Sequence, residues 1–311
     1  MLARSCIYGA IFFVFSLVIF PYYTEGDQFA YRGFYQGVVG LDFGEAFAFY
    51  RASLGSSEPV YFIIVYYLAS FLPKDILFSI INGWFAFTLS RLLDRRGMKW
   101  YLGPLIFSNF YFLVLLFAAE RLKIALLLFG LAYFFKGISR YIVILCAVLG
   151  HVQLIMLAAS AQAARISVIV TSLLKGKISK ETLALISLFL VLLAIFPALA
   201  NHIYSKYEYY QIFGGLAELG KPIVFTLLAC YYARRNIMEV VIANLPLMLA
   251  AYAIGADRVV IFSYFVFLYY ALNYRGGLNA GVFATSAYFT VKGYLFIVAI
   301  LMYGHGFPLL E

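Results

Sequence analysis

Charged side chains are scarce in this sequence. Asp, Glu, Lys and Arg make up 12% of its 311 residues, whereas a soluble domain carries about 25%. Hydrophobic residues account for 65%, and the mean hydropathy is +0.94. Too few charges are present to solvate a globular surface of this size. This scarcity excludes a water-soluble domain and indicates a membrane protein.

Motifs of several large enzyme classes are also missing. The chain has no Gly-rich phosphate loop, no Walker pattern, no HExxH and no GxSxG. Its three cysteines, Cys6, Cys146 and Cys230, lie in apolar runs without metal-ligand or disulfide spacing. We therefore expect no metal and no cofactor. The net charge of +9 does not indicate nucleic acid, because the Lys and Arg residues lie in short loops between apolar runs.

Long apolar runs are what the sequence has in abundance. Four examples are close to the roughly 20 residues that span a bilayer: Ile7–Tyr23, Trp100–Ala119, Thr182–Ala200 and Ile237–Ile254. Such runs recur to the C-terminus and predict an all-α, polytopic membrane protein of about eleven transmembrane helices, with residues 1–311 as one membrane domain. Residues 1–23 resemble a signal peptide, but no small-x-small cleavage site follows, so we expect a retained first span.

The charge of the loops predicts an orientation. Arg91–Lys99, Lys136–Arg140 and Lys175–Lys180 are basic and are expected in the cytoplasm. Residues 24–58 and 201–221 are then outer loops. Pro59–Leu72 is short for a span, which leaves two alternatives. Either it crosses and puts Arg91–Lys99 outside, against the charge rule, or it turns back or lies sideways. We favour the second path, since such backbone is tolerated where it lines a cavity.

Two arginines are candidate anion-binding residues. Arg121 lies with Glu120 and Lys123 between apolar runs, and charged residues in such places usually face a bundle interior or an aqueous cavity. The alternative is a plain loop in which Arg121 pairs with Glu120. Arg258 has the same two interpretations, with Asp257 as its simple partner.

Three further residues are candidates for proton transfer. His151 lies deep in an apolar run and is either a general base or a histidine that is hydrogen-bonded across helices. Asp27 shares a helical face with Tyr31 four residues on. Glu58 precedes Pro59 and is either a base or the N-cap of the next helix. The alternative of a divalent ion on acids of the outer loop has no diagnostic spacing.

Together these motifs, in this order, resemble the EpsG-like and Wzy-type polymerases of bacterial surface polysaccharides. The resemblance spans nearly the whole chain and is carried by Asp27 with Tyr31, Glu58 with Pro59, Arg121, His151, and Arg258 with Tyr264. The sequence departs from the family pattern at Leu122, where Gln is frequent, and at Gln153, where a small hydroxyl residue is common.

The resemblance implies a GT-C-like helical fold in the bacterial cytoplasmic membrane, with an active site that faces the periplasm or exterior. It implies a glycosyltransferase that moves the growing glycan from undecaprenyl diphosphate to the non-reducing end of an incoming lipid-linked repeat unit. Membrane lipid and a chain-length regulator are implied partners. Arg121 and Arg258 would stabilise the leaving diphosphate, and His151, Asp27 or Glu58 would deprotonate the acceptor. Arg51, Lys123, Tyr31 and Tyr264 are the remaining expected substrate contacts.

Three other classes of membrane protein are alternatives to the polymerase, because they share its chemistry or its helical architecture. An O-antigen-type ligase uses the same donor with another acceptor. A flippase or transporter of lipid-linked oligosaccharide would line a path on both sides of the midplane with charge. A membrane acyltransferase also uses an intramembrane His and Arg, but takes its acyl donor from the cytoplasm.

Overall fold

The protein is helical throughout the part of the chain that its computed structural model describes, residues 2–176, 215–255 and 259–307. No β-strand occurs in these ranges, which confirms the predicted all-α class. The α-helices are α1 Leu2–Ile19, α2 Asp27–Gly37, α3 Phe43–Leu54, α4 Pro59–Leu68, α5 Lys74–Arg95, α6 Gly103–Phe107, α7 Phe110–Phe117, α8 Glu120–Leu131, α9 Gly137–Gly150, α10 Leu154–Ser160, α11 Ala163–Leu174, α12 Gly220–Ala233, α13 Ile237–Ile254, α14 Val259–Leu272 and α15 Ala280–Tyr303.

Several of these helices are long and apolar enough to cross a membrane. In the described ranges five segments qualify, or six if one bent pair of helices is a single span. The five are Leu2–Tyr22, Lys74–Arg95, Leu216–Ala233, Ile237–Ile254 and Arg275–Tyr303. They agree with a multi-pass membrane protein. Eleven spans stay a prediction, and the expected span Thr182–Ala200 and most of the loop 201–221 lie outside the described residues.

The chain divides into two compact units, the first made of Met1–Leu154 and Arg275–Glu311 and the second of Ile155–Tyr274. In the second unit, α12, α13 and α14 pack on one another and α11 packs on α13. Tyr264 of α14 is buried there against the ring of Phe225, at 5.4 Å between centroids. The Tyr270 hydroxyl donates to Glu239 Oε1 at 2.8 Å and ties α14 to α13.

Helix α5 is the centre of the first unit. α1 runs antiparallel to it: Arg4 pairs with Asp94 at one end, and the ring of Phe20 faces the Lys74 ammonium at the other. α8 runs parallel to α5, because Glu120 bonds to Lys74 at one end and Gly130 lies against Leu92 at the other. The 22 residues of α5 extend about 33 Å at 1.5 Å per residue. We call the two ends of this unit the Glu120 end and the Arg95 end.

The basic segments meet at the Arg95 end. The Arg95 guanidinium lies 4.1 Å from the ring centroid of Phe134, and its Nη1 donates to the Tyr133 carbonyl at 3.2 Å. Arg140 lies over the ring of Tyr133 at 5.3 Å. The segments 91–99 and 136–140, both expected in the cytoplasm, are therefore on the same end of the first unit.

The short segment after Glu58 does not run the length of α5. Tyr61, in the first turn of α4, donates to Glu120 Oε2 at 2.9 Å. Lys74, which opens α5, donates to Glu120 Oε1 at 2.6 Å. The start of α4 and the start of α5 therefore both lie at the Glu120 carboxylate, so the chain between them, one short helix and a turn, returns to the level at which it began. This is the geometry expected of the second path, in which Pro59–Leu72 turns back or lies sideways.

The run Trp100–Ala119, expected as one span, is broken. Trp100–Phe107 and Phe110–Phe117 are bent by 58°. Asn109 caps the second helix, since its side chain accepts from the Tyr111 N–H at 2.9 Å. Gly293 of α15 packs into the bend so closely that an added Cβ would lie 2.4 Å from the Ser108 carbonyl oxygen. A helix that is distant in sequence therefore packs directly against the bend.

Candidate functional site

Glu58 lies at the start of α4, in the position of a helix N-cap. α3 ends at Gly55 in the left-handed region, with φ 55°, and this reversal leads into Ser56 and Glu58. Pro59 is the first residue of α4, but the Glu58 side chain makes no capping hydrogen bond. The predicted N-cap position is confirmed, but the carboxylate does not cap the helix, because it is turned inward and is buried.

Four donors surround the Glu58 carboxylate. Arg121 Nη1 donates to Oε2 at 2.9 Å, and the Ser56 hydroxyl donates to the same oxygen at 3.0 Å. On the other oxygen, His151 Nδ1 lies 2.6 Å from Oε1, and the Val152 N–H donates to it at 3.3 Å. Glu58, Arg121 and His151, three of the candidates from sequence, are thus in direct contact. We call them the Glu58 triad.

A helix break delivers His151 to this carboxylate. α9 ends at Gly150, and His151 takes an extended conformation with φ −163° and ψ 118°. An added Cβ at Gly150 would lie 3.3 Å from Ala125 Cβ, so α9 reaches α8 closely at this point. The same break frees the Val152 N–H for Glu58. Gly150 therefore combines a helix end with a close approach between two helices.

Arg121 does not pair with its neighbour Glu120. It lies in the first turn of α8 and bonds instead to Glu58 and to the buried phenol of Tyr31. The alternative of a plain loop with a Glu120–Arg121 pair is therefore wrong. Within the described part of the chain, the Arg121 Nε–H is buried and has no hydrogen-bond partner. Because a guanidinium carries five N–H donors, Arg121 retains donor capacity for an anion.

The environment of Glu58 keeps it ionised. Burial favours the neutral acid and raises its pKa. The hydrogen bond and the charge of His151, the charge of Arg121 and the Val152 N–H act in the opposite direction and hold the pKa of Glu58 at about 2. A carboxylate that stays charged at neutral pH can fix an imidazole ring in one orientation and stabilise its protonated form.

The second ring nitrogen of His151 is the one available for chemistry. Nε2 lies 3.2 Å from the side-chain oxygen of Gln153. With the amide oxygen in that place and Glu58 at Nδ1, both ring nitrogens face acceptors, which is the arrangement of an imidazolium. With the Gln153 NH₂ group turned toward the ring, Nε2 becomes an acceptor and His151 is neutral. Gln153 thus contacts Nε2, the ring nitrogen that does not face Glu58.

A second buried polar cluster adjoins the triad. Glu120 Oε1 accepts from Lys74 Nζ at 2.6 Å and from Gln28 Nε2 at 2.9 Å, and its Oε2 accepts from Tyr61. Lys74 Nζ also donates to Gln28 Oε1 at 2.6 Å. We call these four residues the Glu120 cluster. Gln28 and Lys74 were not candidates from sequence. A lysine at the head of an apolar run is the signal that could have indicated one of them.

The remaining sequence candidates lie elsewhere. Asp27 is exposed in the first turn of α2, and Arg51 is exposed on α3. Lys123 is fully buried beside the Glu120 cluster, and Tyr264 belongs to the second unit. Arg258 lies outside the described residues. No three His, Cys, Asp or Glu side chains in the described ranges are close enough to hold a metal ion, so the divalent-ion alternative finds no support there.

The chain matches no protein-family model, no curated protein and no solved structure. A functional assignment consequently depends on the geometry of its own residues and on the resemblance of its motifs.

Proposed function

We propose that this protein is a membrane glycosyltransferase that polymerises oligosaccharide repeat units carried on undecaprenyl diphosphate. The observation that carries the proposal is the Glu58 triad. His151, a candidate base, is bonded to a carboxylate, and that carboxylate is bonded to Arg121, a candidate diphosphate ligand. Residues 58, 121 and 151 are far apart in sequence and were named as candidates separately.

In the proposed reaction His151 accepts the proton of the acceptor hydroxyl at Nε2. The acceptor oxygen forms a bond to C1 of the donor glycan, and the bond from C1 to the diphosphate oxygen breaks, with the electron pair leaving on the diphosphate. Glu58 orients the imidazole through Nδ1 and stabilises the imidazolium. A single displacement of this kind inverts the configuration at C1.

Arg121 is the proposed ligand of the leaving diphosphate. Negative charge grows on that group as the bond to C1 breaks, and a buried guanidinium stabilises it more effectively than a solvated one. The unpartnered Nε–H of Arg121 supports this role. Glu58 neutralises the guanidinium in the absence of substrate, so the buried charge is paired in both states.

The two-ended first unit supports the proposed orientation. The triad contacts Glu120 and Tyr61 through neighbouring residues of α8 and α4, and therefore lies at the Glu120 end, while the basic segments lie at the Arg95 end. With the basic segments in the cytoplasm, the triad faces the periplasm or exterior. About eleven spans and a GT-C-like arrangement belong to the same proposal.

The test is polymerisation by purified protein in proteoliposomes with undecaprenyl-diphosphate-linked repeat units as the only substrate. We expect a glycan ladder from the native chain and single repeats from Arg121→Ala and Arg258→Ala, with protein levels unchanged. Arg121→Lys should restore only part of the activity, because lysine lacks the planar fork. Lys136→Ala, which removes an exposed cation at the Arg95 end, should polymerise normally.

A normal chain-length distribution in both arginine-to-alanine variants would defeat the diphosphate role. Transbilayer movement of the lipid-linked unit without polymer would support a flippase. Transfer to a lipid A-type acceptor but not to a second repeat unit would support a ligase.

A further inference from the structure

The junction between α7 and α8 is an interrupted helix whose free carbonyls are bound by buried side chains. α7 ends at Phe117 and α8 begins at Glu120. Carbonyls in the last turn of a helix lack intrahelical donors, and within a membrane protein water does not readily replace them. Here the Leu116 carbonyl accepts from Lys123 Nζ at 2.8 Å and from Asn82 Nδ2 at 3.2 Å. The Phe117 carbonyl accepts from Gln28 Nε2 at 2.5 Å.

The charges at this junction match the helix dipoles. Lys123 directs its amino group to the C-terminal end of α7, where a donor or a positive charge is favourable. Glu120 places a carboxylate in the first turn of α8, where a negative charge is favourable. Gln28 donates to both sides of the junction, to the Phe117 carbonyl and to Glu120. One glutamine therefore connects the end of α7 to the start of α8.

Burying these ionisable groups costs free energy unless they are paired and hydrogen-bonded. Glu120 and Lys123 are fully buried, and Lys74 is 7% exposed. A protein in which well-packed apolar residues replace a buried ionic group is often as stable as the original or more stable. The ionic groups, however, supply what apolar residues cannot, namely donors for the open carbonyls and a counter-charge for Glu120.

The junction also determines where Arg121 points. Consecutive residues on a helix are separated by about 100°. With Glu120 bound to Lys74, Gln28 and Tyr61, Arg121 is turned toward Glu58. On the facing helix, Glu58 and Tyr61 are three residues apart and lie on one side. The pairs Glu120–Tyr61 and Arg121–Glu58 thus form two adjacent connections between α8 and α4.

We propose that Lys123, Gln28 and Glu120 are positioning residues, which hold the α7–α8 junction so that Arg121 meets Glu58 and His151. The family resemblance predicts a substrate contact at Lys123. Its Nζ is instead directed to the Leu116 carbonyl and to the rings of Phe20 and Phe78, at 5.7 and 5.1 Å from their centroids. The importance of this alignment for catalysis rests on the proposed function, but the alignment itself can be tested without any activity.

The test is a double-mutant cycle between Glu58 and Arg121, repeated in altered backgrounds. Thermal unfolding in detergent gives Tm for Glu58→Gln, Arg121→Met and the double variant. In the native background we expect the Tm of the double variant to fall by clearly less than the sum of the Tm losses of the two single variants. In Lys123→Met and in Gln28→Leu backgrounds, this non-additivity should fall by at least half. Lys123→Arg keeps a cationic donor and should retain it.

Leu126→Ala is the matched control. Leu126 is buried one turn further along α8, so its truncation lowers Tm through a cavity without touching the junction. Its background should keep the full non-additivity. The proposal is overturned if non-additivity is unchanged in the Lys123 and Gln28 backgrounds, or if Leu126→Ala reduces it equally. Should one of the two backgrounds not yield folded protein, the other decides. Failure of polymerisation with an intact cycle would count against the proposed function and leave the positioning role standing.

Discussion

Replacement of Glu58 by glutamine is the most direct perturbation of the triad. The carboxylate accepts four hydrogen bonds, and a glutamine side chain in its place would present one carbonyl and one NH₂ group to the same donors. A pKa lowered from 4.5 to about 2 corresponds to about 3–4 kcal/mol in favour of the ionised form, at ~1.4 kcal/mol per pH unit. Removal of one partner from a buried ion pair costs about 3–5 kcal/mol. Both values predict a loss of about 3–4 kcal/mol.

The assay is thermal unfolding in detergent at pH 7, monitored by circular dichroism. At about 2 °C per kcal/mol, the lower value for larger chains, Glu58→Gln should lower Tm by roughly 7 °C. Glu45→Gln is the matched control, because Glu45 is an exposed acid on α3. Exposed substitutions of this kind change stability by about 0.5 kcal/mol or less, so its Tm should change little.

The pH dependence of the same comparison follows from the sign of the pKa change. The pKa of Glu58 is lower in the folded protein, so its contribution is complete above the unfolded value of 4.5 and is lost as pH falls toward about 2. The Tm difference between the native chain and Glu58→Gln should therefore shrink from pH 4.5 downward. Equal Tm values at pH 7, or a difference that grows below pH 4.5, would refute the role assigned to this carboxylate.

Two further predictions concern the base and the bend. His151→Asn should reduce polymerisation by about 10²–10⁴-fold, the usual contribution of a general base. If the variant keeps the activity and the pH–rate profile of the native chain, His151 is not the base. Gly293→Ala should destabilise the protein by about 1–3 kcal/mol through overpacking, because its Cβ would lie 2.4 Å from the Ser108 carbonyl oxygen. Gly33→Ala in α2, where nothing lies within 4 Å of an added Cβ, should be neutral or stabilising in the same Tm measurement.

Much of the candidate site could be predicted because charged residues are rare in this chain. Glu58, Arg121 and His151 each interrupt or adjoin an apolar run, and such residues usually face inward. Their mutual contact could not be predicted, since it requires α4, α8 and α9 to meet at one point. The pairing of Glu120 was also missed. Its neighbour Arg121 looked like its partner, but adjacent residues on a helix point about 100° apart, and Lys74 was the cation on the correct side.

Local sequence likewise failed to predict the bend at Ser108. The run from Trp100 to Ala119 is interrupted by the polar pair Ser108 and Asn109, which lies at the bend, but the hydropathy of the run as a whole carries no information about direction. The path of Pro59–Leu72 stays a prediction. Its length and the loop charges favoured a segment that turns back or lies sideways, and the return of Lys74 to Glu120 agrees with that path.

Composition and long apolar runs alone predict a helical, multi-pass membrane protein, because a chain with 12% charge has too few charged residues to solvate a globular surface, and the five candidate spans agree with that prediction. They also identify which polar residues are unusual. Which of those residues bond to one another was decided only by tertiary structure, because hydrogen bonds and ion pairs act over about 3 Å and depend on how separate helices are rotated and docked. Folding connected Glu58 to Arg121 and His151, and it assigned Lys123 to a helix junction.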